Sequence, residues 1–178
     1  LHAEPLYVGL LLLPGALLTG LLGPVVGRLY DRVGPRWLIV PGAVAVSVAL
    51  GLFGQLAVTT QWWQLLIAHL TLSLGLAFMF TPLFTITLGA LPPHLYGHGS
   101  AMLGTVQQVA GAAGTALFVT VMAGVAAAQP ETLGAEQSLA AGARAAFLTV
   151  GAIWLVGFLA TLFLRKPEDS EAGAPPVH

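Results

Sequence analysis

The 178-residue sequence contains no cysteine and very few charged residues. Without cysteine, the chain has no disulfide framework, no thiolate nucleophile and no thiolate metal site. Charged residues amount to 7 % and the formal net charge is −1. This composition gives no sign of a nucleic-acid partner, and none is predicted.

The five histidines do not form a pattern that predicts a metal site. They are scattered, without an HExxH or similar spacing. His94 and His98 lie among prolines and glycines, so we expect solvated loop residues rather than a helical pair. The sequence also lacks a Gly-x-Ser-x-Gly nucleophile motif and a pair of intramembrane carboxylates. We therefore predict no metal, no cofactor and no enzymatic activity.

Apolar residues, by contrast, are abundant. They make up 57 % of the chain, mean hydropathy is +0.88, and there are 22 glycines and 12 prolines. A soluble domain of this length could not bury so much apolar surface, so we predict an all-α integral membrane protein in a lipid bilayer. The predicted bundle covers residues 1–166, with spans at about 6–26, 37–58, 63–91, 101–128 and 144–164. Residues 167–178 are predicted to form a disordered tail.

The segment Gly27–Trp37 is where opposite charges crowd together. We predict a short polar hairpin here, in which Asp31 accepts hydrogen bonds from a helix N-terminus or pairs with an arginine. The simplest interpretation is a loop that marks the cytoplasmic side. Five predicted spans put most basic residues on one side: Arg28, Arg32, Arg36, Arg165 and Lys166. Because only Arg144 lies on the other side, the C-terminus is predicted to be cytoplasmic.

His69 is the only histidine predicted to lie within the membrane. On an ideal helix it shares a side with Ser73, Leu76, Phe80, Phe84 and Thr87. One interpretation is a proton carrier or a ligand contact, because histidine changes protonation near neutral pH. The other is a structural histidine that hydrogen-bonds a neighbouring helix or reaches the headgroups beside Trp62 and Trp63.

Two adjacent glutamines stand out in the fourth run. The residues that share their face are Gly104, Gln107, Gln108, Gly111, Thr115, Phe118 and Met122. An unsatisfied amide in hydrocarbon costs several kcal/mol, so both side chains are expected to face protein or a water-filled cavity. Hydrogen bonds between helices and a substrate cavity remain alternative explanations.

The charged segment has a recognisable spacing. Gly27, Asp31, Arg32, Gly34 and Arg36 fit Gly-x-x-x-Asp-Arg-x-Gly-x-Arg, which resembles the signature loop of the major facilitator superfamily of secondary transporters. Three later segments extend the resemblance along nearly the whole chain: 80–83 (FTPL), 91–93 (LPP) and 107–116 (QQVAGAAGTA). The order of these features along the chain resembles that in the last five helices of the fourteen-helix drug/proton antiporter branch.

The resemblance implies most of the C-terminal half of a multidrug efflux transporter in the plasma (inner) membrane. Its partners would be a small-molecule substrate, protons as coupling ion and the remaining N-terminal half. The implied conformational latch comprises Gly27, Arg28, Asp31, Arg32, Gly34 and Arg36. The substrate-cavity candidates are Gln107, Gln108, Gly111, Thr115, His69, Phe80 and Phe84.

Proton coupling needs a titratable group in the membrane. None of the five predicted spans contains aspartate or glutamate, so we expect the coupling acid in the remaining half, with His69 as the alternative. Two other functions remain open: an uptake permease of the same superfamily, and a small five-helix accessory protein.

Overall fold

The computed structural model describes residues 5–130 and 132–163. Its five long helices are α1 (Pro5–Val33), α2 (Arg36–Phe53), α3 (Trp62–Gly89), α4 (Tyr96–Ala127) and α5 (Ala135–Phe163), with a short 3₁₀ turn at Pro93–Leu95. All five are long and apolar enough to cross a membrane, and the described part of the chain contains no β-strand. The prediction of an all-α membrane fold is confirmed. The predicted tail at 167–178 lies outside the described residues.

Helix α2 lies at the centre of the packing. It packs most extensively on α3 and also contacts α5, whereas α1 lies mainly on α3 and α4 mainly on α5. Helix α4 barely touches α3. The bundle is therefore compact around α2 and open along α1 and α4.

Two glycines allow the close crossing of α2 and α3. A β-carbon built on Gly42 would lie 2.9 Å from the carbonyl oxygen of Gly75, and one built on Gly75 would lie 2.7 Å from that of Gly42. Only glycine fits at such a backbone contact, which is the way small residues bring membrane helices together. The crossing fixes α2 and α3 as one unit.

Aromatic side chains attach α5 to α2 and α4. The ring of Phe147 stacks on Phe53 at a centroid distance of 4.6 Å and is nearly perpendicular to the ring of Phe118 at 4.9 Å. Further along α5, the indole Nε1 of Trp154 donates a hydrogen bond of 3.0 Å to the Ser47 hydroxyl. Stacked and edge-to-face rings stabilise a fold by more than the apolar area they bury. The ring contacts of Phe147 and the hydrogen bond of Trp154 therefore attach α5 at two levels.

The predicted hairpin at Gly27–Trp37 is wrong for most of its length. Helix α1 continues through Val33, and only Gly34 and Pro35 separate it from α2. At 29 residues, α1 is about 43 Å long and exceeds a hydrocarbon core of about 30 Å. Its polar end can therefore leave the membrane as a helix, and the turn is made by Gly34 at a φ of 81°, which glycine adopts readily.

Three other boundaries also differ from the predicted ones. Helix α2 ends at Phe53, short of 58, whereas α4 and α5 begin earlier than 101 and 144. Alanine is the strongest helix former, which explains the helical start of α5 across the alanine-rich segment 139–146. His94 lies in the 3₁₀ turn and His98 in the first turn of α4, so the loop assignment of His98 is wrong, although both side chains are exposed.

Candidate functional site

A cleft of about 230 Å³ lies between α3 and α4. It is lined by Phe80, Leu83, Phe84, Thr87, Leu103, Val106, Gln107 and Ala110. The rings of Phe80 and Phe84 are tilted by 38° with centroids 6.3 Å apart. No lining residue is charged, so the cleft suits an apolar or aromatic group with few hydrogen-bonding atoms.

Gln107 is the only amide in this lining. The Thr87 hydroxyl donates to the Leu83 carbonyl of its own helix at 2.8 Å, so its proton is already used. Gln107 is exposed, and its amide has no hydrogen-bond partner within the described residues. Its two donors and its acceptor are therefore available to a ligand or to water in the cleft.

Gln108 lies outside this cleft, although it adjoins Gln107 in sequence. It contributes, with Gly104, Thr105 and Gln107 itself, to a depression on the open side of α4. Gly111 and Thr115 are exposed on the same helix, and the Thr115 hydroxyl donates to the Gly111 carbonyl at 2.9 Å. Gln107 thus borders both the cleft and the open side of α4, whereas Gln108 borders the open side alone.

The predicted face of α4 divides further along the helix. Its far part packs on α5, where a β-carbon on Gly142 would overlap the Met122 carbonyl and Phe118 meets Phe147. Helical periodicity placed these residues on one face with the glutamines. It does not show which part of that face a neighbouring helix covers.

His69 is not part of the cleft. Its ring faces α1, with Nε2 3.2 Å from the Leu12 carbonyl oxygen, so His69 makes a contact to a neighbouring helix. A β-carbon on Gly15 would overlap His69 and lie 2.5 Å from the Ser73 hydroxyl oxygen. One turn on, the Thr19 hydroxyl donates to the Gly15 carbonyl at 2.9 Å.

The charged residues at the end of α1 and the start of α2 form an open polar surface. Arg28, Asp31, Arg32 and Arg36 are all exposed. Within the described part of the chain Asp31 makes neither of its predicted contacts, because it has no arginine partner and no hydrogen bond to a helix N-terminus. Gly27 lies within α1, and a β-carbon there would meet no atom within 4 Å. Gly34, by contrast, makes the turn between α1 and α2 with a φ of 81°.

Sequence reasoning missed three helix contacts: Gly42 with Gly75, Gly15 with His69 and Ser47 with Trp154. The glycines were visible inside apolar runs, and small residues there signal close helix approach. Nothing in the sequence says which glycines pair. Among the described residues, no three histidine, aspartate or glutamate side chains are placed to hold a metal ion.

Comparison with known proteins identifies the family. The model of the Major Facilitator Superfamily matches residues 1–177. The chain is 41 % identical over 164 residues to the lincomycin resistance protein LmrB of Listeria monocytogenes, covering 89 % of this chain and 35 % of the relative. It is 36 % identical to LmrB of Bacillus subtilis, covering 89 % and 34 %. It is 30 % identical to a multidrug resistance protein B homolog of Mycobacterium tuberculosis, covering 66 % and 22 %.

The chain thus spans about a third of the length of these two lincomycin resistance proteins. No solved structure matches it significantly. The helical architecture and the match along 1–177 agree with one another: the chain belongs to the major facilitator superfamily, whose members are membrane transporters.

Proposed function

We propose that this chain is part of a proton-coupled exporter of amphipathic drugs, with lincomycin-like compounds among its substrates. The observation that carries the proposal is the similarity to lincomycin resistance proteins along 89 % of the chain. Membrane-spanning helices have similar lengths, so five helices in 35 % of the relative's length correspond to about fourteen in the whole protein. The remaining helices supply the N-terminal half.

The cleft between α3 and α4 is the proposed drug-binding surface of this segment. Phe80 and Phe84 offer aromatic faces, and Gln107 offers an amide without a partner in the described residues. A drug in the cleft can pack against the two rings and gain about 1 kcal/mol from each hydrogen bond it makes with the Gln107 amide. Drugs that combine an apolar body with one or two polar groups satisfy both requirements.

The orientation proposed for the transporter puts the turn at Gly34 in the cytoplasm of a plasma-membrane protein. Arg28, Arg32 and Arg36 cluster at this end of the bundle, and basic residues favour the cytoplasmic side. The C-terminus then lies on the same side. The direction of transport is outward, as in drug resistance.

Export is tested with the complete reading frame in a lincomycin-sensitive bacterium and with purified protein in proteoliposomes. We expect Gln107→Leu to reduce lincomycin export about fivefold to tenfold, the equivalent of one lost hydrogen bond. Gln108→Leu is the matched control, because its side chain lies outside the cleft, and should change export less than twofold. Wild-type protein that accumulates lincomycin in cells would indicate an uptake permease instead. Equal effects of both substitutions would contradict the cleft as the binding surface.

The exposed charges around Gly34 are proposed to form the conformational latch. Asp31 is exposed, so it is free to pair with the opposite half in one transport state and to separate in the other. Asp31→Asn removes a charge-assisted bond and should lower export about tenfold with normal folding. Glu136→Gln, an exposed acid in the first turn of α5, is the control and should export normally. Normal export by Asp31→Asn would disprove the latch.

A further inference from the structure

A groove of about 360 Å³ lies between the start of α5 and the connection from α2 to α3. Leu56, Ala57 and Val58 of the connection form one wall, and α5 residues between 137 and 148 form the other. The groove shares no residue with the cleft between α3 and α4. Within the connection, the Ala57 N–H donates to the Thr60 hydroxyl at 2.8 Å. This hydrogen bond helps to hold the first wall in place.

Gln137 and Arg144 are the two polar side chains of the lining. They lie about two helical turns apart, on the same side of α5. Neither side chain has a hydrogen bond or an ion pair within the described residues. The described acids are Asp31, at the other end of the bundle, and Glu136, which does not line the groove. The Arg144 guanidinium is therefore a positive charge without a counter-ion in the described part of the chain.

The groove lies at the level of the membrane surface. Helix α2 has 18 residues and is about 27 Å long, close to the hydrocarbon thickness of about 30 Å. Its end lies beside Leu148, since a β-carbon built on Gly54 would be 2.7 Å from Leu148 Cδ2. Arg144 is one turn further out, about 6 Å beyond this edge and within the headgroup layer. Trp62 and Trp63 are exposed at the same end, as is usual for interfacial aromatic residues.

We propose that this groove binds an anionic phospholipid, with the lipid phosphate on the Arg144 guanidinium. A phosphate group accepts two parallel hydrogen bonds from the planar guanidinium of arginine. The Gln137 amide lies further from the membrane and can bond to hydroxyl groups of the headgroup. Leu148 lies on the membrane side of Arg144, where an acyl chain continues into the hydrocarbon layer. A soluble phosphate would leave this apolar part of the groove unfilled, so a lipid fits better.

The charge of the groove favours an anionic lipid over a zwitterionic one. Choline and ethanolamine headgroups carry an ammonium group, and the lining contains no acid that could pair with it. In the proposed orientation the groove faces the outer leaflet, where basic residues are uncommon. Arg144 is the only described arginine or lysine at that end. Lipid binding needs neither a drug nor a proton gradient, so it goes beyond the proposed function.

The direct test is photo-crosslinking of the complete transporter in phosphatidylcholine vesicles. A small fraction of phosphatidylglycerol carries a photoreactive group on its acyl chain near the glycerol, and peptide mass spectrometry locates the label. We expect label on residues 56–58 and 145–148, and at least about fivefold less label in Arg144→Gln, because a charge-assisted bond is lost. Glu136→Gln, on the same helix but outside the groove, is the control and should not lower the label. Unchanged labelling of Arg144→Gln would overturn the proposal.

Ala141→Leu keeps the charge and fills the groove, so it tests the same proposal where Arg144→Gln does not fold. The added side chain occupies space beside Arg144, because Ala141 lies in the lining one turn away. We expect the label to fall about fivefold here too, the equivalent of about 1 kcal/mol. Wild-type labelling of folded Ala141→Leu protein would contradict binding in the groove.

Two further comparisons identify the ligand. The same photoreactive group on phosphatidylcholine should label these residues at least about fivefold less than on phosphatidylglycerol. Equal labelling by the two lipids would mean ordinary solvation by the bilayer and would overturn the proposal. Excess glycerol 3-phosphate should not displace the labelled lipid, and displacement would indicate a soluble-anion site instead. None of these results depends on lincomycin export, so a failure of the proposed function would be seen separately.

Discussion

Helices α2 and α4 are both apolar and long enough to span a membrane, but they differ in what covers them. Seven residues of α2 are buried, among them Leu38, Val46 and Phe53. None of the 32 residues of α4 is buried. Hydropathy therefore identifies membrane helices without saying which of them carry the fold.

The polar residues of the two helices follow the same division. In α2 the Ser47 hydroxyl donates to the Ala43 carbonyl at 2.9 Å and accepts a hydrogen bond from Trp154. In α4 the amides of Gln107 and Gln108 have no partner within the described residues. The Ser47 hydroxyl of α2 links two helices, whereas the two amides of α4 are available to a ligand or to other helices.

The largest effect should come from filling the crossing of α2 and α3. Gly75→Leu puts a side chain where a β-carbon already lies 2.7 Å from the Gly42 carbonyl oxygen, and backbone cannot move aside as a side chain can. We expect a loss of about 3 kcal/mol in the free energy of unfolding, the upper end for an overpacked contact, measured by denaturant titration of the complete transporter. Gly114→Leu in α4 is the control, because a β-carbon there meets no atom within 4 Å. Equal loss in both variants would show that the rest of the transporter covers α4 at this position.

A smaller loss of stability is expected from removing the aromatic contact by which α5 joins α2 and α4. Phe147→Ala removes the ring that stacks on Phe53 and touches Phe118. Because Phe147 is only half-buried, we expect about 2 kcal/mol of destabilisation, less than for a fully buried aromatic side chain. Thermal unfolding measures this loss of stability. Phe158 is unsuitable as a control, because its side chain makes interactions of its own. Leu155→Ala, an exposed α5 residue, should change stability by less than about 0.5 kcal/mol. A similar loss in both variants would contradict the contribution of the ring cluster.

The smallest effect concerns the hydrogen bond between α2 and α5. Trp154→Phe keeps most of the aromatic surface but removes the donor to Ser47, which should cost about 1 kcal/mol. A double-mutant cycle with Ser47→Ala isolates the pairwise term from effects of either side chain alone. Additive losses would mean that the bond contributes nothing to the stability of α2.

The number and type of helices were predictable from the sequence because the bilayer fixes their length and apolarity. The ends of the helices were not. Arg28, Asp31 and Arg32 suggested a loop, yet charged residues are as compatible with a helix that continues beyond the membrane. Gly97 and Gly99 suggested a turn, but they lie within the first turns of α4.

The candidate site was predictable only in part. Phe80, Phe84 and Gln107 were on the predicted face of their helices and do line one cleft. His69 was also on that face but contacts α1 instead, because periodicity gives the direction of a side chain and not the position of its neighbour. The pairing of Gly42 with Gly75 depends on the crossing of two helices, which no local pattern encodes.

The two-residue connection at Gly34 and Pro35 also determines which end of α1 can move. Three Cα–Cα steps separate Val33 from Arg36, which keeps these residues within about 11 Å of each other. Helix α2 is held by α3 and α5, so the end of α1 next to the connection stays with the packed helices. Any tilting of α1 then acts with Gly34 as its fixed point, and the largest displacement falls on the opposite half of the helix, where Leu12 meets His69.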